Sequence, residues 1–229
     1  INPVNHLFAH LEAIHLSDQV AYPYFGLLFS GGHSLFTLVK SPTSFHIIAG
    51  TLDDAAGEAF DKGGKMLGLD YPAGKIIDEM AKNGDKNKFK FPIGLKGSKD
   101  ANMSFSGVKT SLRTFIEKNQ SELQKPSFLN DVCASYQEAI VQAIKEKSQE
   151  ALMLIEHNKN IPIVLGGGVA CNSRLREVLK ETFDNFYCVQ PKYCTDNGAM
   201  IANYAARTAE NCISYPDCLK LDAKSRFIS

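Results

Sequence analysis

The sequence contains no tryptophan, no net charge and no apolar run long enough to cross a bilayer. Lys and Arg number 25, and Asp and Glu also number 25, so the chain has no overall field that would attract nucleic acid or a membrane. Internal repeats, low-complexity tracts and a signal-peptide pattern are also missing. These absences predict no membrane partner, and they require any nucleic-acid partner to meet a local patch of charge.

The cysteines are scattered and form no C-x-x-C pair. A chain of 229 residues with 44% apolar residues can bury a core without disulfide bonds. We therefore expect reduced thiols and a cytoplasmic location, in one large domain or two small ones. The six cysteines are Cys133, Cys171, Cys188, Cys194, Cys212 and Cys218.

A two-glycine turn between two β-rich segments is the first candidate for a binding site. Tyr24–Phe29 and Leu35–Lys40 have strand composition, and the short break between them predicts a hairpin. Gly31 and Gly32 can adopt positive φ and, without Cβ atoms, let a ligand approach the backbone N–H groups. The donors of Ser30–Ser34 suit phosphate or carboxylate oxygens. A plain hairpin, whose glycines serve only the turn, explains the same residues.

A histidine pair near the start has the spacing of a metal site. Asn5–Ile14 has the pattern of a helix after Pro3, and His6 and His10 would lie one turn apart on one face. Two imidazoles at this spacing can bind one metal ion with a third ligand from elsewhere. Leu7 stands where the H-E-x-x-H motif of zinc proteases has Glu. The alternative is two half-buried histidines that only pack.

An acidic helix follows a third strand, which is predicted at Phe45–Ala49. The helix is predicted to begin near Asp53, because the helix dipole favours carboxylates in the first turn. Asp54, Glu58 and Asp61 would share one face, which is typical of a solvated surface. The alternative is that one carboxylate binds ribose hydroxyls or a metal.

The middle of the chain is predicted to be mainly helical, with one basic interruption. Lys82–Lys99 carries six lysines against a single acid, interleaved with Phe89 and Phe91, and is predicted to be an irregular excursion. Such a patch suits a nucleic-acid backbone, and an ordinary solvated loop is the alternative. Helical patterns follow at Phe105–Lys118 and at Ser127–Asn158.

A second glycine cluster, Gly166–Gly168, follows the apolar strand predicted at Ile161–Leu165. A strand, glycines and a helix form a nucleotide-binding arrangement, although the residues match neither G-x-G-x-x-G nor a Walker A loop. After a last strand at Phe186–Gln190, Thr195 or Asp196 is predicted to cap the final helix. Asp196 could instead join the histidine pair. Strands that alternate with helices beside a hairpin predict α/β architecture with a mixed sheet.

Seven motifs along the chain carry a resemblance to one family. They read N-H-L-F-A-H, L-L-F-S-G-G-H-S, D-D-A-A-G-E-A-F-D-K, L-G-L-D-Y-P, F-S-G-V-K-T, G-G-G-V-A-C-N-S-R-L-R and C-T-D-N-G-A-M-I-A. In this order they resemble the TsaD family of tRNA N6-adenosine threonylcarbamoyltransferases, once described as glycoproteases, from His6 to about Ala206. The resemblance implies an actin-like ATPase (ASKHA, ribonuclease H-like) fold with a metal between two lobes.

The resemblance also implies roles for individual residues. The family's ligands for one divalent metal, Fe2+ or Zn2+, are matched by His6, His10 and Asp196. The loop that contacts the phosphate and threonylcarbamoyl parts of the substrate is matched by Leu28, Phe29, Ser30, Gly31 and Gly32. Nucleotide-contacting positions are matched by Asp61, Gly74, Asp78 and Asn172.

The implied reaction transfers a threonylcarbamoyl group to N6 of the adenosine 3′ to the anticodon (A37), giving t6A, in tRNAs that read codons beginning with A. Threonylcarbamoyl-AMP is the implied donor, and threonylcarbamoyl-AMP or ATP/ADP is the implied nucleotide ligand. The implied partners are tRNA and bacterial proteins of the TsaB and TsaE type. No nucleophilic Ser or Cys is required.

The chain departs from the family pattern in three ways. Ala73 stands where the family's Y-P-G-G-P has Gly, so we expect an extra methyl near the nucleotide pocket, and Lys75 replaces the Pro. Gly63 and Gly64 are expected to weaken their helix. The family's segment before the histidine pair is missing, so we expect one partial actin-like unit, incomplete at the N-terminus. Within residues 1–229 we expect a metal-ligand helix and link (1–21), a β-rich core with the phosphate loop (22–52), a mainly helical insertion (53–158) and a C-terminal α/β core (159–229).

Two other functions remain open on the sequence. A non-catalytic, nucleotide-binding partner of the same fold would not be expected to keep all three metal ligands. A zinc metalloprotease needs a general base beside the metal-bound water. Leu7 cannot supply that base, and Glu12 would point elsewhere on the helix.

Overall fold

A single five-stranded sheet organises the computed structural model, which describes residues 1–98, 100–156 and 160–222. The strands are β1 (Tyr24–Phe29), β2 (Ser34–Ser41), β3 (Ser44–Gly50), β4 (Ile163–Gly166) and β5 (Phe186–Cys188). Their order is β3-β2-β1-β4-β5. The β3–β2 and β2–β1 pairs are antiparallel, and the β1–β4 and β4–β5 pairs are parallel. The predicted α/β architecture with a mixed sheet is confirmed.

The central strand β1 places the glycine turn at the edge of the core. Every residue of β1 is buried, and the strand is central in the sheet, with β2 paired on one side and β4 on the other. The register sets Phe29 opposite Ser34 and Leu28 opposite Gly166. The hairpin turn and the second glycine cluster therefore meet at the same end of the sheet.

The α-helices of the described chain precede, separate and follow the strands. They are α1 (His6–Glu12), α2 (Ala56–Met66), α3 (Ala73–Ala81), α4 (Ser106–Lys118), α5 (Pro126–Met153), α6 (Ser173–Thr182), α7 (Pro191–Cys194) and α8 (Gly198–Arg207). The long predicted helix ends at Met153, and its predicted end at Asn158 lies outside the described residues. Within the described ranges, no helix combines the length and apolar character needed to span a bilayer.

The acidic helix α2 begins three residues later than predicted, at Ala56. Its first N–H group donates to Ser34 Oγ on β2 at 2.8 Å. Asp53 instead caps α4, because its Oδ1 accepts from the Phe105 N–H at 2.8 Å and its Oδ2 accepts from Ser106 Oγ at 2.7 Å. Burial opposes the ionised form, but these hydrogen bonds outweigh it and lower the pKa of Asp53. The cap joins residues more than fifty positions apart, so local sequence could not indicate it.

The basic segment between α3 and α4 is an irregular excursion, as predicted, although Lys99 lies outside the described residues. Its aromatic residues are not exposed, however. The Phe89 ring lies 4.7 Å from that of Phe115 on α4, and the Phe91 ring lies 5.8 Å from that of Tyr136 on α5. Both phenylalanines are half-buried, so the expectation that this basic patch carries exposed aromatic residues is wrong.

Candidate metal and nucleotide site

Three side chains converge where α1 meets the start of α8. His6 and His10 lie one turn apart on α1, whose first N–H groups are capped by Asn5. Helix α1 packs against β1, β4 and α8. The cap of α8 is Asn197, whose Oδ1 accepts from the Met200 N–H at 2.9 Å, and not Thr195 or Asp196 as predicted. The Asp196 carboxylate is therefore free to face the histidines.

The geometry of this triad is compact. Oδ1 of Asp196 lies 3.2 Å from Nε2 of His6 and 3.1 Å from Nε2 of His10. One ligand atom of each residue lies within 4.8 Å of the other two. The imidazole of His10 is buried, whereas His6 and Asp196 are exposed. The triad therefore has one buried side chain and two accessible ones.

The donor set fits a divalent metal ion. Burial and, after it, the neighbouring His6 lower the pKa of His10, while Asp196 opposes them. A lowered pKa favours the neutral imidazole, which is the form that binds metals. Nδ1 of His10 is buried and has no hydrogen-bond partner in the described part of the chain, and in metal sites this second ring nitrogen commonly bonds an outer partner that orients the imidazole. Two imidazoles and one carboxylate leave coordination positions open.

A cavity of about 790 Å³ extends from the triad to α3 and α6. Eight of the twelve predicted site residues line it: His10, Ser30, Gly31, Asp61, Gly74, Asp78, Asn172 and Asp196. The other four, His6, Leu28, Phe29 and Gly32, do not. Segments separated widely in sequence thus meet around one space, as the resemblance implies.

The hairpin turn contributes backbone more than side chains. Leu28 and Phe29 are fully buried in the core, backbone included, so the accessible part of this segment begins at Ser30. Gly31 and Gly32 do not adopt positive φ, so the turn does not use the left-handed conformation that glycine allows. A Cβ atom on either would meet nothing within 4 Å, so their lack of a side chain leaves open space above the turn. That openness is what a phosphate group needs to reach the N–H groups.

Two glycines outside the turn hold it by close backbone contact. Gly57 on α2 donates its N–H to the Ser30 carbonyl at 3.2 Å, and a Cβ atom there would lie 2.5 Å from that oxygen and 2.8 Å from Gly31 Cα. Gly167 has φ of +87°, and its Cβ would lie 2.4 Å from the Phe29 carbonyl oxygen. The sequence alone does not indicate which backbone atoms these two glycines contact, because those atoms belong to a distant segment.

We expect Gly57→Ala to displace the turn and to destabilise the chain by about 1–3 kcal/mol, as overpacking does. Its affinity for adenine nucleotides should fall as well, because the added methyl pushes Ser30 and Gly31 towards the cavity. Urea unfolding and nucleotide titration would measure the two effects. Gly107→Ala is the matched control, since Gly107 lies in α4 with nothing within 4 Å of its Cβ position. Equal behaviour of the two variants would contradict the prediction.

Asp61 and Gly74 lie at the junction of α2 and α3. Asp61 Oδ1 accepts from the Ala73 N–H at 2.9 Å, and both Asp61 and Gly74 line the cavity. Ala73 itself is buried and does not line the cavity, so the expected methyl near the nucleotide pocket is wrong. The methyl points at α2, where a Cβ on Gly64 would lie 2.2 Å from it. Gly64 therefore makes room for Ala73.

The same close packing explains Gly63. A Cβ atom at this position would lie 2.5 Å from the Tyr136 ring on α5, whose hydroxyl donates to the Ala59 carbonyl at 2.8 Å. Each helical glycine disfavours the helix by about 1 kcal/mol relative to alanine. The two glycines lower the helix propensity of α2, but they let α3 and α5 pack closely against it.

Asp78 and Asn172 tie α3, α5 and α6 together at the cavity wall. The Asp78 carboxylate accepts from the Ser173 N–H at 3.0 Å and from its hydroxyl at 2.9 Å. Asn172 caps α6 through the Leu175 N–H at 2.9 Å and donates from Nδ2 to Gln137 Oε1 at 2.6 Å. Both residues line the cavity and are almost fully buried. Their positions are therefore fixed by the fold.

A model of one protein family matches residues 1–203, a range that includes the whole triad. It is the model of TsaD, described as tRNA N6-adenosine threonylcarbamoyltransferase. The chain belongs to the TsaD family. The resemblance carried by the seven motifs is thereby confirmed.

Relatives with this description match most of the chain. The protein of Anaeromyxobacter sp. (strain Fw109-5) is 44% identical over 205 residues, covering 87% of this chain and 60% of the relative. That of Rickettsia bellii (strain OSU 85-389) is 43% identical over 206 residues, with the same coverage of 87% and 60%. That of Chlorobaculum tepidum is 42% identical over 221 residues, covering 89% and 61%. The chain therefore spans about 60% of the length of these relatives.

A solved structure shares the fold at low sequence identity. It is the activator of the 2-hydroxyisocaproyl-CoA dehydratase from Clostridium difficile with bound ADPNP. The TM-score is 0.52 at 13% identity, with 96% of this chain and 71% of that chain covered. The activator has an actin-like ATPase fold, so the fold class implied by the TsaD resemblance is confirmed.

A buried network behind the triad escaped sequence reasoning. Glu12 on α1 is fully buried, and its carboxylate accepts from the hydroxyls of Tyr22 at 2.6 Å and Tyr24 at 2.8 Å and from Nε of Arg207 at 2.9 Å. Its backbone carbonyl accepts from Asn203 Nδ2 at 2.8 Å. Asn203 and Arg207 lie one turn apart on α8, so the network joins α1, which carries His6 and His10, to α8, which follows Asp196 in this TsaD-family chain.

Cys171 is a second residue that sequence reasoning passed over. Its thiol is exposed and lines the cavity beside Asn172. A hydrogen bond from Cys194 lowers the pKa of Cys171 to about 7 against the opposing effect of burial, and the charge of Arg176 adds to the lowering. Only the neighbouring thiol and guanidinium, which the fold brings together, distinguish this cysteine.

Proposed function

We propose that this chain transfers a threonylcarbamoyl group from threonylcarbamoyl-AMP to N6 of A37 in tRNAs that read codons beginning with A, giving t6A. The observation that carries the proposal is the convergence of the His6, His10 and Asp196 ligand atoms at a cavity lined by the nucleotide-matching residues, in a chain of the TsaD family. The relatives are described by this activity, and the chain spans about 60% of their length.

In this proposal the triad holds one Fe2+ or Zn2+ ion. His10 is the buried inner ligand, and His6 and Asp196 approach from the accessible side. When bound, the ion would supply Lewis-acid polarisation or anchoring of a substrate oxygen. The chain's own contribution is to hold two neutral imidazoles and one carboxylate together while leaving positions open for substrate.

The nucleotide part of the donor, or ATP/ADP, would occupy the cavity between the hairpin turn and α6. Gly31 leaves open space for phosphate oxygens, while Asp61, Gly74, Asp78 and Asn172 surround the remainder. The hydrogen bonds that fix Asp78 and Asn172 keep this wall rigid before any ligand arrives, and a preorganised wall loses less entropy on binding. The activator with the same fold is described with bound ADPNP, which supports a nucleotide in this space.

The transfer forms a C–N bond and breaks a C–O bond and an N–H bond. N6 of the adenosine attacks the carbamoyl carbon, the C–O bond to the phosphate of AMP breaks, and AMP leaves with the bonding electron pair. The amine releases one proton to solvent. N–H groups of the Gly31–Gly32 turn would stabilise the phosphate charge as it develops. No side-chain nucleophile takes part.

One structural observation disfavours each of the two alternative functions. A metalloprotease needs a carboxylate beside the metal-bound water, but Glu12 is fully buried and faces Tyr22, Tyr24 and Arg207. A non-catalytic partner has no need of three converging metal ligands, yet the triad of this chain is intact.

A transfer assay tests the proposal. The chain would be mixed with threonylcarbamoyl-AMP, tRNA and partner proteins of the TsaB and TsaE type, and digested nucleosides would be read by mass spectrometry with and without a chelator. We expect t6A that disappears when the chelator is present and returns when Fe2+ or Zn2+ is restored.

Other outcomes of this assay decide against the proposal. Absence of t6A, with the partners shown to be active by a full-length relative, would contradict the transferase. Donor binding without transfer would favour the non-catalytic partner, and chelator-sensitive cleavage of a glycoprotein would favour the protease.

The basic segment gives a separate prediction about tRNA. Lys86, Lys88 and Lys90 are exposed and have no carboxylate within salt-bridge distance among the described residues. Replacing all three with Gln should weaken tRNA binding and reduce the steepness of its salt dependence, because fewer counterions are released. Filter binding over a series of salt concentrations would measure the slope, and an unchanged slope would identify the segment as ordinary solvated surface.

A further inference from the structure

A second cavity, of about 410 Å³, lies between α2 and α4 and is called here the basic groove. Four of its six lining residues are cationic, two on each helix. The lining residues are Lys62, Lys65, Met66, Lys109, Thr110 and Arg113. No carboxylate of the described residues lines the groove, although the chain as a whole has equal numbers of acids and bases.

Two of the four cations are held in place by carboxylates behind the groove. Asp54 contacts Lys62 at 2.9 Å and also pairs with Lys109, and Glu58 pairs with Lys62. Burial opposes ionisation of Asp54, but the two ammonium groups outweigh it and lower the pKa of that carboxyl. Asp54 therefore bridges α2 and α4 and fixes one lysine from each.

The other two cations, Lys65 and Arg113, are uncompensated. Both are exposed, and neither has a carboxylate within salt-bridge distance in the described part of the chain. The four cations and two carboxylates leave a surplus of two positive charges facing the groove. A surplus of this kind, on a guanidinium and an ammonium, suits the oxygens of phosphate groups.

The basic groove and the main cavity share helix α2. Phe60 and Asp61 line the cavity, whereas Lys62 and Lys65 line the groove on the adjoining face. An α-helix with its side chains is about 10–12 Å across, so the two spaces are separated by roughly one helix width. If one base of a polynucleotide entered the cavity, the backbone of a nucleotide only a few positions away would lie at the groove.

We propose that the basic groove binds the sugar-phosphate backbone of the RNA substrate near the adenosine that is modified, with Lys65 and Arg113 as the principal phosphate contacts. This inference rests on the proposed function, since it takes RNA as the substrate. Lys62 and Lys109, already positioned by Asp54, complete the positive wall. These contacts position the RNA and carry no base preference.

The test compares two variants that lose the same charge. Lys65→Gln/Arg113→Gln removes the uncompensated pair, and Lys40→Gln/Lys180→Gln removes two exposed lysines on β2 and α6. Binding of tRNA to the full 229-residue chain would be followed by fluorescence anisotropy over a range of salt concentrations. Loss of two phosphate contacts should weaken binding about 20-fold near 0.1 M salt and reduce the salt slope by about 1.4. The control should stay near wild type.

Each remaining outcome has a separate meaning. Equal affinity of the two variants, whether high or low, would overturn the groove as an RNA site. Weakened binding of pyrophosphate or ADP with unchanged RNA binding would identify a small-anion site instead, and would also overturn the inference. The t6A assay on the wild-type chain is independent: RNA binding that depends on the groove, without any t6A, would support the groove and contradict the proposed transferase.

Discussion

The Asp196→Ala variant is expected to bind Fe2+ or Zn2+ at least about 100-fold more weakly than the wild-type chain. Loss of an outer-shell partner alone commonly costs about 10–100-fold in metal affinity, and Asp196 is a direct ligand in the proposed site. Its Oδ1 lies within 3.2 Å of both imidazoles, and among the described residues no second carboxylate belongs to this cluster. The fold should be preserved, because the side chain is 78% exposed and Asn197, not Asp196, caps α8.

Competition with a chelator of known affinity would measure the change, and urea unfolding of the metal-free chains would measure stability. The free energy of unfolding should change by no more than about 0.5 kcal/mol, as is usual for an exposed substitution. Asp184→Ala is the matched control, since Asp184 is an exposed aspartate outside the triad. Retention of wild-type affinity by Asp196→Ala would remove Asp196 from the ligand set.

Local patterns in the sequence were sufficient to predict elements whose causes are local. The spacing of His6 and His10 depends only on helix geometry, and the hairpin around Gly31 depends on strand propensity and a short turn. The mixed sheet followed from the alternation of these elements. The position of Asp196 beside the histidines came from the family resemblance, because α1 and α8 are separated by most of the chain.

Contacts between distant segments account for what the sequence could not indicate. Asp53 was assigned to the first turn of α2 on local grounds, yet it caps α4, because Phe105 and Ser106 are brought to it by the fold. Ala73 was expected near the nucleotide, yet it fills the space left by Gly64. These two errors concern a side chain whose partner lies on another element, which no periodicity or propensity describes.

The Arg207→Ala variant is expected to be less stable than wild type by about 3 kcal/mol, which corresponds to a melting temperature roughly 6–12 °C lower for a chain of this size. Arg207 is the cation that compensates Glu12: its Nε donates to Glu12 at 2.9 Å and its Nη2 to Tyr22 at 2.9 Å. Removing it leaves a fully buried carboxylate whose remaining partners are the hydroxyls of Tyr22 and Tyr24 and, at 3.8 Å, Nε2 of His15, an imidazole whose pKa burial lowers. An uncompensated buried charge carries the full penalty of lost solvation.

A double-mutant cycle separates this effect from simple loss of packing. Glu12→Gln keeps an acceptor for the tyrosines but removes the charge, so Arg207→Ala should cost much less in the Glu12→Gln background than in wild type. Arg113→Ala controls for loss of an arginine side chain, because Arg113 is exposed and has no carboxylate partner in the described ranges. Equal costs of Arg207→Ala in both backgrounds would show that the charge pair is not the source of stability. A favourable coupling energy between Glu12 and Arg207 would indicate that this ion pair holds α1 against α8. It would thereby keep the histidines of α1 next to the aspartate that precedes α8.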